Sequence, residues 1–181
     1  MTYNSVAEIY DSLEQARARL RRSVEGLTPE QERFKPDSAR WSIAELVEHI
    51  AASETSLLGL FRKMLARAEA ERLRREEGAP FAPVSLERFA ERSRQKFEAP
   101  EMIRPAGDVP IADSLARLEQ SSAELRGLRA GFETFDCSRL RFPHPAFGPL
   151  DLYEWLAFNG AHEARHVAQI RALRSELPAA S

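Results

Sequence analysis

Apolar residues recur at three- and four-residue spacing in four long stretches of this chain, the period of an amphipathic helix. The first runs from about Tyr3 to Val24, where Val6, Ile9, Leu13, Leu20 and Val24 form one stripe with Arg and Glu between them. It predicts a helix over about residues 3–25, stopping near Gly26. Thr28-Pro29-Glu30-Gln31 then reads as an N-cap with proline at the first helical position, enough for a turn or two before Pro36. Ser42-Ile43-Ala44-Glu45 fits a capping box, in which serine and glutamate each satisfy the other's backbone amide. A second helix is expected from there to about residue 75, on the stripe Ile43, Leu46, Val47, Ile50, Leu57, Phe61, Met64 and Leu65. Its charged end, Arg67–Glu77, alternates in sign and reads as a protruding, solvated helical face.

Five of the eleven prolines fall between Gly78 and Pro110, around one modest helical patch at about Ser85–Phe97. This segment reads as a crossover, because neither side carries enough apolar surface to fold separately. Ile111, Leu115, Leu118, Leu125 and Leu128 mark a third long helix over about 111–130, and the proline-rich Phe142–Pro149 is expected to be an irregular loop. Asp151 then caps a last helix, with Glu154 at its third position, running to about Glu176. Four helical patterns without strand alternation or a fixed-period repeat predict an all-α four-helix bundle. The expectation is one domain over residues 1–181, with a long crossover between helices 2 and 3.

Composition narrows the partners. Twenty-six basic against 28 acidic residues give a net charge of −2, without the basic excess that binding to nucleic acid requires. The longest apolar runs fall short of a membrane span, and Met1–Asp11 lacks the basic and apolar regions of a signal peptide, so a cytoplasmic protein is expected. The single cysteine, Cys137, has no basic sequence neighbour to activate it and reads as a buried small side chain.

The last helix carries polar residues in the wrong place. Leu152, Trp155, Leu156, Ile170 and Leu173 define its apolar face, yet Asn159, His162, Glu163 and His166 lie within about 40–80° of that face's centre. Buried without partners, each would cost on the order of 1–3 kcal/mol, so something must satisfy them. His162 and His166, four residues apart, can converge on one metal ion. The same spacing also suits two core histidines bonded to carbonyls or carboxylates. On the second helix His49 borders the apolar stripe, about 60° beyond Leu46, and Glu54 falls near the stripe's centre. Three imidazoles match a catalytic type of site, which keeps one coordination position open. His162-Glu163-Ala164-Arg165-His166 also spells H-E-x-x-H, but a metallopeptidase needs a downstream ligand, and none of the 15 residues after His166 is histidine.

Trp41-Ser42-Ile43-Ala44-Glu45-Leu46-Val47-Glu48-His49-Ile50 resembles the DinB and YfiT-like superfamily of bacterial metal-binding four-helix bundles. The resemblance continues through His144-Pro145-Ala146-Phe147-Gly148-Pro149-Leu150, Glu154-Trp155-Leu156 and His162-Glu163-Ala164-Arg165-His166-Val167-Ala168-Gln169-Ile170. It implies a divalent metal, commonly nickel or zinc, held by His49, His162 and His166, and frequent homodimers. Some relatives are thiol S-transferases or isomerases that use bacillithiol or mycothiol. The leading expectation is therefore a metal-dependent enzyme acting on a small-molecule substrate, foremost a low-molecular-weight thiol S-transferase. A non-enzymatic metal-sensing or metal-stabilised dimeric module and a metal-dependent hydrolase are the alternatives. Glu163 and Glu54 are candidates for orienting an imidazole or moving a proton, Arg165 for meeting an anionic substrate, and His144 for reaching the site from its loop.

Overall fold

The computed structural model describes residues 1–87 and 98–177. Helix α1 spans Val6–Val24, α2 Pro29–Arg33, α3 Ile43–Ala70, α4 Ile111–Gly127, α5 Arg129–Thr134 and α6 Leu152–Ser175. The expected capping box forms at the second long helix, and the expected Asp151 cap of the last helix forms as a box as well. Ser42 and Glu45 close the start of α3, and Asp151 and Glu154 close the start of α6. A third closes α2 through Thr28 and Gln31.

The pattern misplaces several boundaries. Ser5, not Tyr3, begins the first helix: its hydroxyl accepts the Glu8 amide, and Thr2–Tyr3 (β1) instead pairs antiparallel with Val84–Ser85 (β2). The second helix ends five residues early, at Ala70. Arg72 takes the left-handed conformation (φ 54°), which turns Leu73 back into the core, where its carbonyl accepts the Asp136 amide at 2.8 Å. Burying Leu73 outweighs continuing a charged helix into solvent, so the run 71–77 does not protrude as a helical face. The third pattern breaks at Leu128 into α4 and α5, an offset that buries Phe132 completely. Gly131 permits it, since a Cβ there would stand 3.1 Å from Leu65 Cδ1. The helical patch expected at 85–97 lies, beyond Glu87, outside the described residues.

The largest departure is at Phe142–Pro149, which is not irregular. Arg141–His144 (β3) and Gly148–Asp151 (β4) form an antiparallel hairpin in which Pro143 faces Pro149. Two residues without N–H groups can face each other where the ladder needs no bond between them, so the prolines suit this register. Gly148, at φ 74°, supplies the turn conformation that a side chain would resist.

The apolar core falls into two clusters. One contains Leu13, Leu58, Leu125 and Leu156; the other contains Leu20, Ile50, Leu118 and Val167. Along α1 and α6 the chain passes from the first cluster to the second, and along α3 and α4 it passes from the second to the first. The bundle is therefore up-down-down-up. Neighbouring helices α3 and α4 run parallel, which is why a long crossover must join them. No helix among the described residues is long and apolar enough to cross a membrane.

Candidate metal centre

His49 lies in the second turn of α3, and His162 and His166 lie on successive turns of α6. Packing of these two helices brings the three rings together, with centroids 4.5–5.1 Å apart. His162 Nε2 stands 3.2 Å from His49 Nε2 and 3.1 Å from His166 Nε2, and the three ligand atoms all lie within 4.8 Å of one another. Three nitrogens bound at about 2.0–2.1 Å to a tetrahedral ion would stand about 3.4 Å apart, close to the two short separations.

The remaining ring nitrogens decide what the cluster can hold. His49 Nδ1 donates to the Ile103 carbonyl at 2.8 Å, and His166 Nδ1 donates to Gln169 Oε1 at 2.6 Å. Each of these bonds fixes the proton on Nδ1 and leaves a lone pair on Nε2. Two lone pairs thus converge on His162 Nε2, whose single proton could serve only one of them. A surplus of acceptors in a buried place fits a cation. Protonation is not the remedy, because burial holds all three imidazoles neutral. Desolvation lowers His49; desolvation, then the His49 charge and Arg165, hold His166 at about 3, against Gln169, which pulls it up; and desolvation, followed by His166 and His49, takes His162 well below its ordinary value. The Trp41 ring packs at a tilt against His49, with centroids 4.9 Å apart, and Phe158 stands 5.8 Å from His162.

The other expected site residues sit differently. Glu54 and Glu163 are buried, and both carboxylates bond the Arg17 guanidinium rather than an imidazole. The groups that meet the Nδ1 atoms of His49 and His166 are the Ile103 carbonyl and Gln169. Asn159 also finds Glu54, donating from Nδ2 at 3.1 Å. Burial raises the Glu163 carboxyl, and Arg17 draws it back. Arg165 is half-buried, and its charge contributes to lowering His162 and His166. His144 lies outside the three-histidine cluster: its ring packs at 4.7–4.9 Å on Phe147, Trp155 and Phe158, and Nδ1 accepts the Ala146 amide at 3.0 Å.

Two partners escape the sequence reading. Gln169 is exposed in α6, and only its position three residues after His166 signals its role. Arg17 stands four residues after Leu13 and three before Leu20, squarely on the apolar stripe of α1. A cation there, with carboxylates at core positions of two other helices, is a readable sign of buried pairing.

The topology and the cluster together define the class: a four-helix bundle with three histidines gathered between two of its helices. The chain belongs to the DinB superfamily, whose model matches residues 12–170. It is 25% identical over 164 residues to the uncharacterised protein YuaE of Bacillus subtilis (strain 168), covering 90% of this chain and 95% of that one. Two solved structures share the fold at 22% identity. One is TT2238, a four-helix bundle protein, with TM-score 0.60 over 93% of this chain and 99% of that one. The other is YfiT from Bacillus subtilis, with TM-score 0.59 over 94% of this chain and 86% of that one, described as a probable metal-dependent hydrolase with an unusual four-helix bundle topology.

Proposed function

We propose that His49, His162 and His166 hold a divalent metal ion, nickel or zinc, and that the protein is an enzyme working through it, foremost a low-molecular-weight thiol S-transferase. The observation that carries the metal is the convergence of two fixed Nε2 lone pairs on His162 Nε2. When bound, the ion supplies positive charge that lowers the pKa of a thiol or water entering its remaining coordination position. The chain's own residues do the rest. Ile103 and Gln169 hold two imidazoles in the ligand tautomer, and the buried, aromatic-flanked setting keeps the rings unprotonated. The thiol reading is preferred over water because Glu54 and Glu163, which could serve as a base for hydrolysis, are both committed to Arg17. Family resemblance adds a homodimer. The hydrolase reading draws on the likeness to YfiT.

Metal analysis of the purified protein should find about one ion per chain, and His162→Ala should lose it. A wild-type protein that refuses added nickel and zinc ends the proposal. Consumption of bacillithiol, mycothiol or glutathione in the presence of an alkylating electrophile is the expected activity. Ester hydrolysis without thiol turnover would make the protein a hydrolase, and a large thermal shift on metal removal with neither activity would make it a metal-stabilised module.

A further inference from the structure

We infer that Arg17 is the positioning residue of the metal centre, setting the register between α3 and α6 on which convergence of the three histidines depends. The inference rests on the metal reading above.

Arg17 comes from α1, and its guanidinium spends every donor it has. Nε donates to Glu163 Oε1 at 2.9 Å, Nη2 to Glu54 Oε2 at 2.8 Å and to Glu163 Oε2 at 3.1 Å, and Nη1 to the Leu118 carbonyl at 2.7 Å and to Ser122 Oγ. Five N–H groups meet five acceptors from α3, α4 and α6. Glu54 is further held by Ser121 and Asn159. A cavity of about 220 Å³ opens beside Arg17 between α1 and α4, but the saturated guanidinium has no donor left for a ligand there, so its work is internal.

The placement of the two carboxylates defines that work. Glu163 adjoins His162 on α6, and Glu54 follows His49 by five residues on α3. A slip of either helix by one residue moves its ligands by about 1.5 Å, enough to break a metal site. Apolar packing is non-directional and resists such a slip weakly, whereas a planar fork bonded to both helices is lost at once. The network also lies between the two apolar clusters, with Leu13, Leu58, Leu125 and Leu156 on one side and Leu20 and Ile50 on the other. Buried ion pairs are poor sources of stability and are best known for fixing register.

The test uses Co²⁺ as probe, followed by its visible ligand-field bands and by titration of the metal-stripped full chain. Arg17→Met should weaken cobalt binding about 10–100-fold. Because this variant leaves two carboxylates uncompensated, the decisive form is Arg17→Met with Glu54→Gln and Glu163→Gln, which buries no unpaired charge. It should unfold near the wild-type temperature yet bind cobalt at least about tenfold more weakly, with shifted bands. Arg17→Lys, which keeps the charge but not the fork, should fold and show the same loss in milder form. Wild-type affinity and bands in the triple variant, or in Arg17→Lys should the triple variant fail to fold, overturn the inference while leaving the metal reading intact. A wild-type chain that binds no cobalt overturns both.

Discussion

The Cys137 thiol is completely buried, and desolvation, partly offset by the Tyr153 hydroxyl, pushes it up to about 12 from an ordinary 9.0. The unfolded chain therefore gives up this proton first as pH rises. The stabilisation linked to the protonated thiol is complete below about 9 and drains away toward 12, so the fold should weaken over that window. Denaturant unfolding at stepped pH should show the decline, and Cys137→Ala should make it shallower, the buried Tyr10 and Tyr153 hydroxyls, also raised by burial, contributing the rest above pH 10. A thiol-specific reagent at pH 8 should find Cys137 only after unfolding; rapid labelling of the native protein would contradict the burial. The sequence neighbours of Cys137 already mark it as inert. His49, His162, His166, Glu54, Asn159 and Glu163 are legible by a different signal, since polar groups on apolar stripes stand out as exceptions. Arg17 is less legible, because arginine between stripe residues looks like solvated surface unless its position is projected too. Which carboxylate meets which cation depends on how four helices pack, and no single helix pattern contains that.

At the scale of elements, the capped starts of α3 and α6 are legible in the sequence, whereas the start of α1 and the ends of the second and third helical patterns are not. Starts are set by local chemistry: Ser42 with Glu45 and Asp151 with Glu154 close their boxes within three residues, so the sequence spells them out. Asp151→Ala should accordingly cost about 0.5–2 kcal/mol in denaturant unfolding, while Asp151→Ser recovers most of it. A cost near zero for the alanine would mean that packing alone holds the start of α6. Ends answer to tertiary packing. The second helix stops because Leu73 has a core site to fill, and the third breaks because Phe132 needs an offset. The β3–β4 hairpin escaped notice for a different reason: prolines usually disqualify a strand, and only the cross-strand pairing of Pro143 with Pro149 removes the objection.

On the scale of the whole molecule, the parallel course of α3 and α4 makes the crossover unavoidable, and the far end of the crossover completes the three-histidine cluster. The Glu48 carboxylate, on the turn of α3 just before His49, accepts the Ala106 amide at 2.8 Å and the Gly107 amide at 3.2 Å. Gly107 sits at φ 93°, and a Cβ there would come 3.3 Å from Glu45 Oε1, so the chain can lie this close to α3 only as glycine. The pinned end of the crossover holds Ile103 where its carbonyl receives His49 Nδ1. The connection forced by topology thereby supplies the carbonyl that fixes the His49 tautomer. Glu48→Ala should release that end: hydrogen exchange at Ala106 and Gly107 should accelerate, and cobalt affinity should fall about tenfold as His49 loses its orienting carbonyl. The four-helix core does not depend on Glu48, so the unfolding temperature of the metal-free protein should shift by only a few degrees. Unchanged exchange at the two amides would show that the crossover is held by something else. Faster exchange with unchanged cobalt affinity would show that His49 needs no help from Ile103.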